Sequence, residues 1–268
     1  MKSKHTLYFN AYLNSAHLYD TDNRDRLLDD ISFYLEEAHK VNGPILELAC
    51  GTGRVSIPLA QAGKKVVGID ISPPMLKVFS EKLKKYPIAI QNNINIYKAD
   101  ITNFELNKKF DLIILPFSTF QVFCDNSQVK SCLNSVRRCL NQEGVFIFNC
   151  FNPQGFLDET WCKKDEDLDY TIYDENGQKI LERKNLKSGI DTKNQIIYVE
   201  LIYDEFKNSE RINRTIDKLK MKYYYPSQLI QLLTSNNFEI LERYGYYDRR
   251  ALEPNATQMI FKIKPQVD

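Results

Sequence analysis

The sequence predicts an α/β fold in which helices cover both faces of a largely parallel sheet. Through the first 152 residues, short apolar runs alternate with segments of helical periodicity, which is the pattern of a parallel sheet with helical crossovers. Between 153 and 224 the chain is rich in charge, and apolar residues alternate with polar ones, as in an antiparallel sheet with one solvated face. We therefore predict a core of 1–152 and 225–268, with an antiparallel β insertion over 153–224.

The elements of the core follow in regular order. Apolar residues recur at helical spacing between 25 and 40, and Gly43–Pro44 ends this helix. Five short apolar runs predict buried strands, at 45–49, 65–70, 94–97, 110–115 and 144–149. Three helices are predicted between these strands, with prolines or Asp125 at two of their starts, over 55–62, 73–85 and 126–140. After the insertion, whose clearest strand is 196–203, we predict a helix at 226–236 and strands near 238–246 and 257–263.

Composition limits the function. Among 268 residues, 36 are Lys or Arg and 35 are Asp or Glu, a net charge of +1. A nucleic-acid partner is therefore not favoured, since gripping phosphates usually requires a basic excess. We expect neither a signal peptide in 1–10 nor a membrane span, because no apolar run approaches about 18 residues.

The six cysteines form no CxxC pair and have no histidine at zinc spacing. We expect no metal site. Reduced, partly buried thiols indicate a cytoplasmic protein, because disulfide scaffolds are denser in cysteine.

The first strand leads into Glu47-Leu48-Ala49-Cys50-Gly51-Thr52-Gly53-Arg54. A strand, a glycine turn and a helix start form a nucleotide-type binding corner in a parallel sheet. A dinucleotide fingerprint would need a third glycine where Ser56 stands. The carboxylate of Glu47 would repel a pyrophosphate but attract an ammonium or sulfonium group. S-adenosylmethionine carries both cations and no phosphate, so the charges favour it over NAD.

Further candidates end the next strands. Asp70 ends the second strand about 20 residues after the turn and suits ribose hydroxyls. Asp100 suits the adenine amino group, with Ile101 against the ring, although Asp100 and Glu47 could instead cap their own turns. Pro116 and Phe117 follow the fourth strand, beside the place of the reactive methyl group.

Together, 45–60, 66–76, 98–104 and 110–120 resemble class I S-adenosylmethionine-dependent methyltransferases. This resemblance implies a Rossmann-like seven-stranded sheet whose last strand is antiparallel. Ala49 stands where glycine is commoner in the family. The resemblance implies a set of cofactor-binding positions in the core, namely Glu47, Ala49, Gly51, Gly53, Arg54, Asp70, Ile71, Met75, Asp100, Ile101, Pro116 and Phe117.

The segment 223–229, with Asn237-Phe238, is similar to the bacterial small-molecule branch, which includes sugar N-methyltransferases. Members place an antiparallel insertion over the active site as a lid, here 153–224. They also use an N-terminal tyrosine or arginine at the methionine end of the cofactor, which implies Tyr12, Tyr19 and Arg24. Candidate acceptor-binding positions, which could instead pack in the core or lid, are Phe120, Asn152, Trp161 and Tyr224.

The resemblance predicts in-line SN2 methyl transfer to a small molecule by a monomer or homodimer. An oxygen acceptor usually needs a general base, most often histidine, and the chain has three histidines. His17 and Tyr223 are the candidate catalytic residues, and the scarcity of bases favours N-methylation. The alternatives are an RNA or protein methyltransferase, although Leu115-Pro116-Phe117-Ser118 lacks the Asp/Asn-Pro-Pro-aromatic motif of base methylation, a cofactor-binding regulator without catalysis, or an NAD-dependent oxidoreductase.

Overall fold

Two β-sheets organise the chain in a computed structural model that describes residues 12–22 and 29–266. The helices of these ranges are α1 Asp29–His39, α2 Ser56–Gln61, α3 Pro73–Leu83, α4 Ile88–Gln91, α5 Asn126–Cys139 and α6 Pro226–Ser235. The strands are β1 Ile45–Leu48, β2 Val66–Asp70, β3 Ile94–Lys98, β4 Phe110–Leu115, β5 Leu140–Phe151, β6 Asp167–Tyr173, β7 Lys179–Asp191, β8 Ile196–Lys207, β9 Glu210–Lys222, β10 Phe238–Tyr244 and β11 Gln258–Pro265.

The larger sheet has seven strands in the order β10-β11-β5-β4-β1-β2-β3. β1 lies next to the central strand β4 and pairs in parallel with β2 and β4, so that Ile45 faces Val66 on one side and Leu112 on the other. β11 runs antiparallel to both β5 and β10. The predicted seven-stranded sheet with an antiparallel last strand is confirmed. Because β1, β2 and β4 run parallel to one another, their carboxyl ends lie at the same edge of the sheet.

Apolar side chains cover both faces of this sheet, as expected for parallel strands between helices. Along β1, Leu46 and Leu48 join one buried cluster with Phe148, whereas Ile45 joins the other with Phe33. Successive side chains of a strand point to opposite faces, which is why the short apolar run Ile45–Leu48 is buried throughout.

The smaller sheet contains β6, β7, β8 and β9 in sequential antiparallel order. Its strands fall inside the predicted insertion. One face packs Leu181, Leu201 and Tyr203 against Leu18. On the neighbouring positions of β8 and β9, the buried Asp204 is paired with Arg214. Paired charges therefore stabilise a sheet whose sequence is rich in charge.

Residues 12–22, with a 3-10 helix over Ala16–Thr21, connect the two sheets. The backbone N–H of Ser15 donates to Oδ2 of Asp217 on β9, at 2.9 Å. At the other end, Asp20 accepts from the Thr52 hydroxyl and from Lys82 Nζ, each at 2.7 Å. This connecting segment therefore lies across the edge where β1 ends.

Membrane crossing by a helix is not seen in the described part of the chain, where every helix is too short or too polar for a span.

Candidate functional site

The turn after β1 has an unusual backbone. Ala49, Gly51 and Gly53 all have positive φ, at 53°, 53° and 79°. A Cβ on Gly53 would lie 2.2 Å from the Phe79 ring, whereas one on Gly51 would come no closer than 3.8 Å to Met75. Gly53 is thus required by packing behind the turn. Gly51 lies on the open side, where a ligand can approach the backbone closely.

Asp70, at the end of β2, holds this turn in place. One carboxylate oxygen accepts from the Gly51 N–H at 2.8 Å, and the other accepts from the Ser72 N–H at 2.7 Å. Burial raises the pKa of this carboxyl group, although these backbone hydrogen bonds oppose the rise. A carboxylate has about four acceptor positions, so after the backbone N–H groups of Gly51, Ser72 and Ile71 the Asp70 carboxylate still has capacity for a further donor.

Glu47 is buried in the centre of the site, with 3% of the residue exposed. Its Oε2 accepts a hydrogen bond from the Ser56 hydroxyl. Burial raises the pKa of Glu47 to about 8, with the Ser56 hydrogen bond and the charge of Arg54 working against the rise. At neutral pH the side chain therefore keeps its proton until a cation comes near.

This pKa predicts a pH-dependent stability. Because the folded-state pKa lies above the ordinary value of 4.5, the folded state binds the extra proton, and stability falls as the pH rises from about 4.5 to 8. The shift corresponds to a loss on the order of 4–5 kcal/mol. We expect Glu47→Gln to remove most of this fall in urea titrations of the ligand-free chain between pH 5 and 8.5.

Glu37→Gln is the matched control. Glu37 is equally buried, at 2% exposed, but hydrogen bonds to Lys40 and Lys262 lower its pKa despite the opposing effect of burial. Its contribution to stability is therefore lost only at acid pH. A wild-type fall that persists in Glu47→Gln would contradict the assignment to Glu47.

A cavity opens between the turn, β9 and the connecting segment, and we call it the glycine-turn cavity. Most predicted cofactor-binding residues line it. These are Tyr12, Tyr19, Glu47, Ala49, Gly51, Arg54, Asp70, Ile71, Met75, Asp100, Ile101, Pro116 and Phe117. Gly53 is not a lining residue, because it packs against Phe79. Arg24 lies outside the described residues.

Three aromatic rings form one wall of this cavity. Tyr12 and Tyr19 meet edge to face, with ring centroids 4.9 Å apart, and Tyr19 meets Phe117 in the same way at 6.4 Å. The Arg54 guanidinium carbon lies 5.0 Å from the centroid of the Phe117 ring. Phe117 therefore has both an aromatic and a cationic neighbour.

The backbone at Phe117 is strained. Phe117 and Ser118 have φ values of 60° and 58°, which costs energy for residues with a Cβ. Asn149 on β5 holds this turn, since its Oδ1 accepts from the Ser118 N–H at 3.0 Å and its Nδ2 donates to the Ser118 hydroxyl at 3.2 Å. The strain leaves the Phe117 ring 40% exposed, at the mouth of a second cavity.

We call this second cavity the adjoining cavity. It shares Tyr12, Phe117, Ser118, Leu219 and Met221 with the glycine-turn cavity. Carboxylates outnumber guanidinium groups on its wall, which carries Asp29, Asp30, Glu36 and Asp248 against Arg183 and Arg250. Three of these carboxylates are paired with arginines, Asp30 with Arg54, Glu36 with Arg249 and Asp248 with Arg250. The two cavities meet at an aromatic boundary.

The candidate catalytic residues lie away from both cavities. His17 is exposed on the 3-10 helix of the connecting segment. Tyr223 is buried with Leu157 and Ile197. Neither side chain lines the glycine-turn cavity or the adjoining cavity.

The predicted acceptor-binding aromatics also pack elsewhere. Phe120 is fully buried and stacks on Phe148 at 4.2 Å. Tyr224 belongs to the same core cluster. Trp161 packs beside Tyr223.

Asn152 is the fourth predicted acceptor residue, and it is buried at the end of β5. Its Nδ2 donates to the Ala256 carbonyl at 2.9 Å. This hydrogen bond joins the loops before β11 and after β5, outside the linings of both cavities.

Sequence reasoning missed several lining residues, among them Ser72, Leu219 and Met221. Ser72 is 4% exposed, and its Oγ has no hydrogen-bond partner in the described ranges although it lines the glycine-turn cavity. Leu219 and Met221 reach both cavities from β9. The alternation of Leu219 and Met221 with Lys220 indicates a strand. Ser72 could have been found from its position two residues after Asp70.

The sheet order and the glycine turn define a class I methyltransferase fold. Residues 45–144 match the family model described as a methyltransferase domain. The chain thus carries a methyltransferase domain over 45–144, which agrees with the resemblance of its sequence to class I S-adenosylmethionine-dependent methyltransferases.

Particular relatives agree with this class. YqeM of Bacillus subtilis strain 168, a provisionally named methyltransferase, is 31% identical over 165 residues, or 59% of this chain and 64% of YqeM. This chain spans 43% to 64% of the length of the first curated relatives that it matches.

Two solved structures share the fold. The CcbJ methyltransferase from Streptomyces caelestis aligns with a TM-score of 0.79 at 21% identity, covering 99% of this chain and 100% of CcbJ. The sugar N-methyltransferase KedS8 from Streptoalloteichus aligns with a TM-score of 0.69 at 16% identity, covering 94% and 92%. At these identities, the likeness establishes the fold alone.

Proposed function

We propose that this chain transfers the methyl group of S-adenosylmethionine to a nitrogen atom of a small-molecule acceptor. The observation that carries the proposal is the junction of two cavities at Phe117. One cavity holds the buried acidic residues Glu47 and Asp70 beside a glycine turn, and the other carries several acidic residues and has no histidine in its described lining.

The glycine-turn cavity fits an adenosine with a cationic tail. Asp70 has acceptor capacity for ribose hydroxyls, and Ser72 offers a buried hydroxyl without a partner in the described ranges. Oδ1 of Asp100 accepts from the backbone N–H and the hydroxyl of Thr102, and Oδ2 can accept from an amino group. Glu47 would become charged beside the ammonium or sulfonium group, whose positive charge favours the carboxylate.

When bound, S-adenosylmethionine supplies an electrophilic methyl group on a sulfonium that leaves as neutral S-adenosylhomocysteine. The rings of Tyr12, Tyr19 and Phe117 form an apolar wall, and the negative face of such a ring attracts a cation. Orientation by these walls can supply about 7–11 kcal/mol of the barrier. The acceptor nitrogen must then approach from the adjoining cavity, past Phe117.

A nitrogen acceptor suits the adjoining cavity for two reasons. The Asp29 carboxylate in its lining attracts a protonated amine. Once such an amine has lost its proton to solvent, it is nucleophilic without a strong base. An alcohol would need a positioned base, whereas His17 and His39 are exposed and line neither cavity. KedS8, a sugar N-methyltransferase, indicates that this fold accommodates such chemistry.

The proposal predicts label transfer into small molecules. We would incubate the chain with methyl-labelled S-adenosylmethionine and a cell extract, then separate small metabolites, proteins and RNA. We expect label in basic small metabolites, with a rate that rises with pH until the acceptor amine is deprotonated. Label in protein or RNA alone, or a product that is an ether or ester, would contradict the proposal.

A further inference from the structure

Arg54 places a permanent positive charge in the wrong position for the proposed ligand. Its guanidinium group lines the glycine-turn cavity and lies over Phe117. Only 17% of its side chain is exposed, so solvent screens the charge weakly. The ammonium and carboxylate of the donor's amino-acid end offset each other, so the sulfonium is its net charge, and an Arg54 without a compensating carboxylate would repel it.

Asp30, the second residue of α1, meets this charge directly. Its Oδ1 accepts from Arg54 Nη1 at 2.7 Å, and its Oδ2 accepts from Nη2 at 2.5 Å. Asp30 is 2% exposed, and it lines the adjoining cavity beside Phe117. The carboxylate is therefore a buried bidentate partner, the geometry that fixes a guanidinium most firmly.

We propose that Asp30 is a positioning residue that neutralises Arg54 and thereby lets the glycine-turn cavity prefer the charged methyl donor over its neutral-sulfur product. The inference rests on the proposed function. With the Arg54 charge cancelled, the Asp70 carboxylate sets the sign of the potential in the cavity, and Glu47 adds a negative charge once a bound cation displaces its proton. The bidentate contact also holds the guanidinium plane against Phe117.

Donor and product offer a direct measure of this effect. S-adenosylmethionine and S-adenosylhomocysteine share the adenosine and amino-acid ends, but only the donor carries the sulfonium charge. A change in the charge near the sulfur therefore alters the ratio of their dissociation constants, whereas a general loosening of the site weakens both. Asp30→Asn removes one negative charge and almost no volume.

We would measure both dissociation constants by calorimetry for the wild type, Asp30→Asn, and the double variant Asp30→Asn with Arg54→Met. We expect Asp30→Asn to weaken donor binding at least tenfold more than product binding. In the double variant the donor-to-product ratio should return to within about threefold of wild type, because the uncompensated cation is gone. Parallel losses for both ligands, or no recovery in the double variant, would overturn the inference.

Glu37→Gln controls for damage to a buried ion pair on the same helix. Glu37 is 2% exposed and pairs with Arg249 at 2.6 Å and Lys262 at 3.0 Å, and it lines neither cavity. The Glu37→Gln variant should leave the ratio of donor to product dissociation constants unchanged, and a changed ratio would contradict a local effect of Asp30.

Circular dichroism is the test that each variant is folded. If Asp30→Asn is unfolded, Asp30→Glu, which keeps the charge, should preserve the wild-type ratio. If Asp30→Glu instead changes the donor-to-product ratio as expected for loss of the negative charge, the inference is refuted.

The proposed function and this inference fail in different ways. If the wild type binds neither donor nor product, the proposed function is wrong. If the wild type binds both and Asp30→Asn leaves their ratio unchanged, only the role of Asp30 is wrong.

Discussion

Gly53→Ala is expected to destabilise the fold by about 2–5 kcal/mol. A residue with a Cβ pays about 1–2 kcal/mol for the left-handed backbone, and the φ of Gly53 is 79°. The new methyl group would also lie 2.2 Å from the Phe79 ring, and overpacking of this kind costs about 1–3 kcal/mol. Urea unfolding followed by circular dichroism measures the sum.

Gly63→Ala provides the matched control. Gly63 has a φ of 82°, and a Cβ there would meet no atom within 4 Å. We expect a loss of about 1–2 kcal/mol from the backbone alone. Equal losses in the two variants would show that the contact with Phe79 relaxes without cost and that Gly53 is not required for packing.

Asp70→Ala is expected to weaken S-adenosylmethionine binding by about 1–3 kcal/mol, the scale of a lost buried or charged hydrogen bond. This corresponds to roughly 5- to 150-fold in the dissociation constant. The variant removes the acceptors that hold the Gly51 and Ser72 backbones at 2.8 and 2.7 Å, and with them the acceptors available to ribose. Calorimetric titration with the donor measures the effect.

Asp111→Ala separates ligand binding from support of a glycine turn. Asp111 on β4 accepts from the Gly43 N–H at 2.7 Å, much as Asp70 accepts from Gly51, but it lines neither cavity. It should lower the stability and leave the dissociation constant unchanged. Unaltered affinity in Asp70→Ala would remove that residue from the site.

The sheet was predictable because its signals are local. Buried parallel strands such as Ile45–Leu48 must be apolar on both faces, and their polar ends meet at one edge. That edge is where Glu47 and Asp70 line the glycine-turn cavity. The order of the predicted elements was therefore enough to bring most cofactor candidates together, although Gly53 proved to lie behind the turn.

The acceptor side was less predictable because it depends on orientation. Phe117 and Phe120 are three residues apart, yet Phe117 is 40% exposed and Phe120 is fully buried. The difference arises from the positive φ values of Phe117 and Ser118. No glycine at these positions indicates this conformation in the sequence. The role of Asp30 was equally hidden, because its partner Arg54 lies 24 positions away.

The connecting segment has a thermodynamic consequence. It is attached to β9 through Asp217 and to the core through Asp20, and it contributes Tyr12 and Tyr19 to the glycine-turn cavity. A ligand that contacts these two rings stabilises the attached position of the segment. By thermodynamic reciprocity, attachment of the segment raises the affinity for that ligand. Capture of the ligand and joining of the two sheets are thus coupled in a single equilibrium.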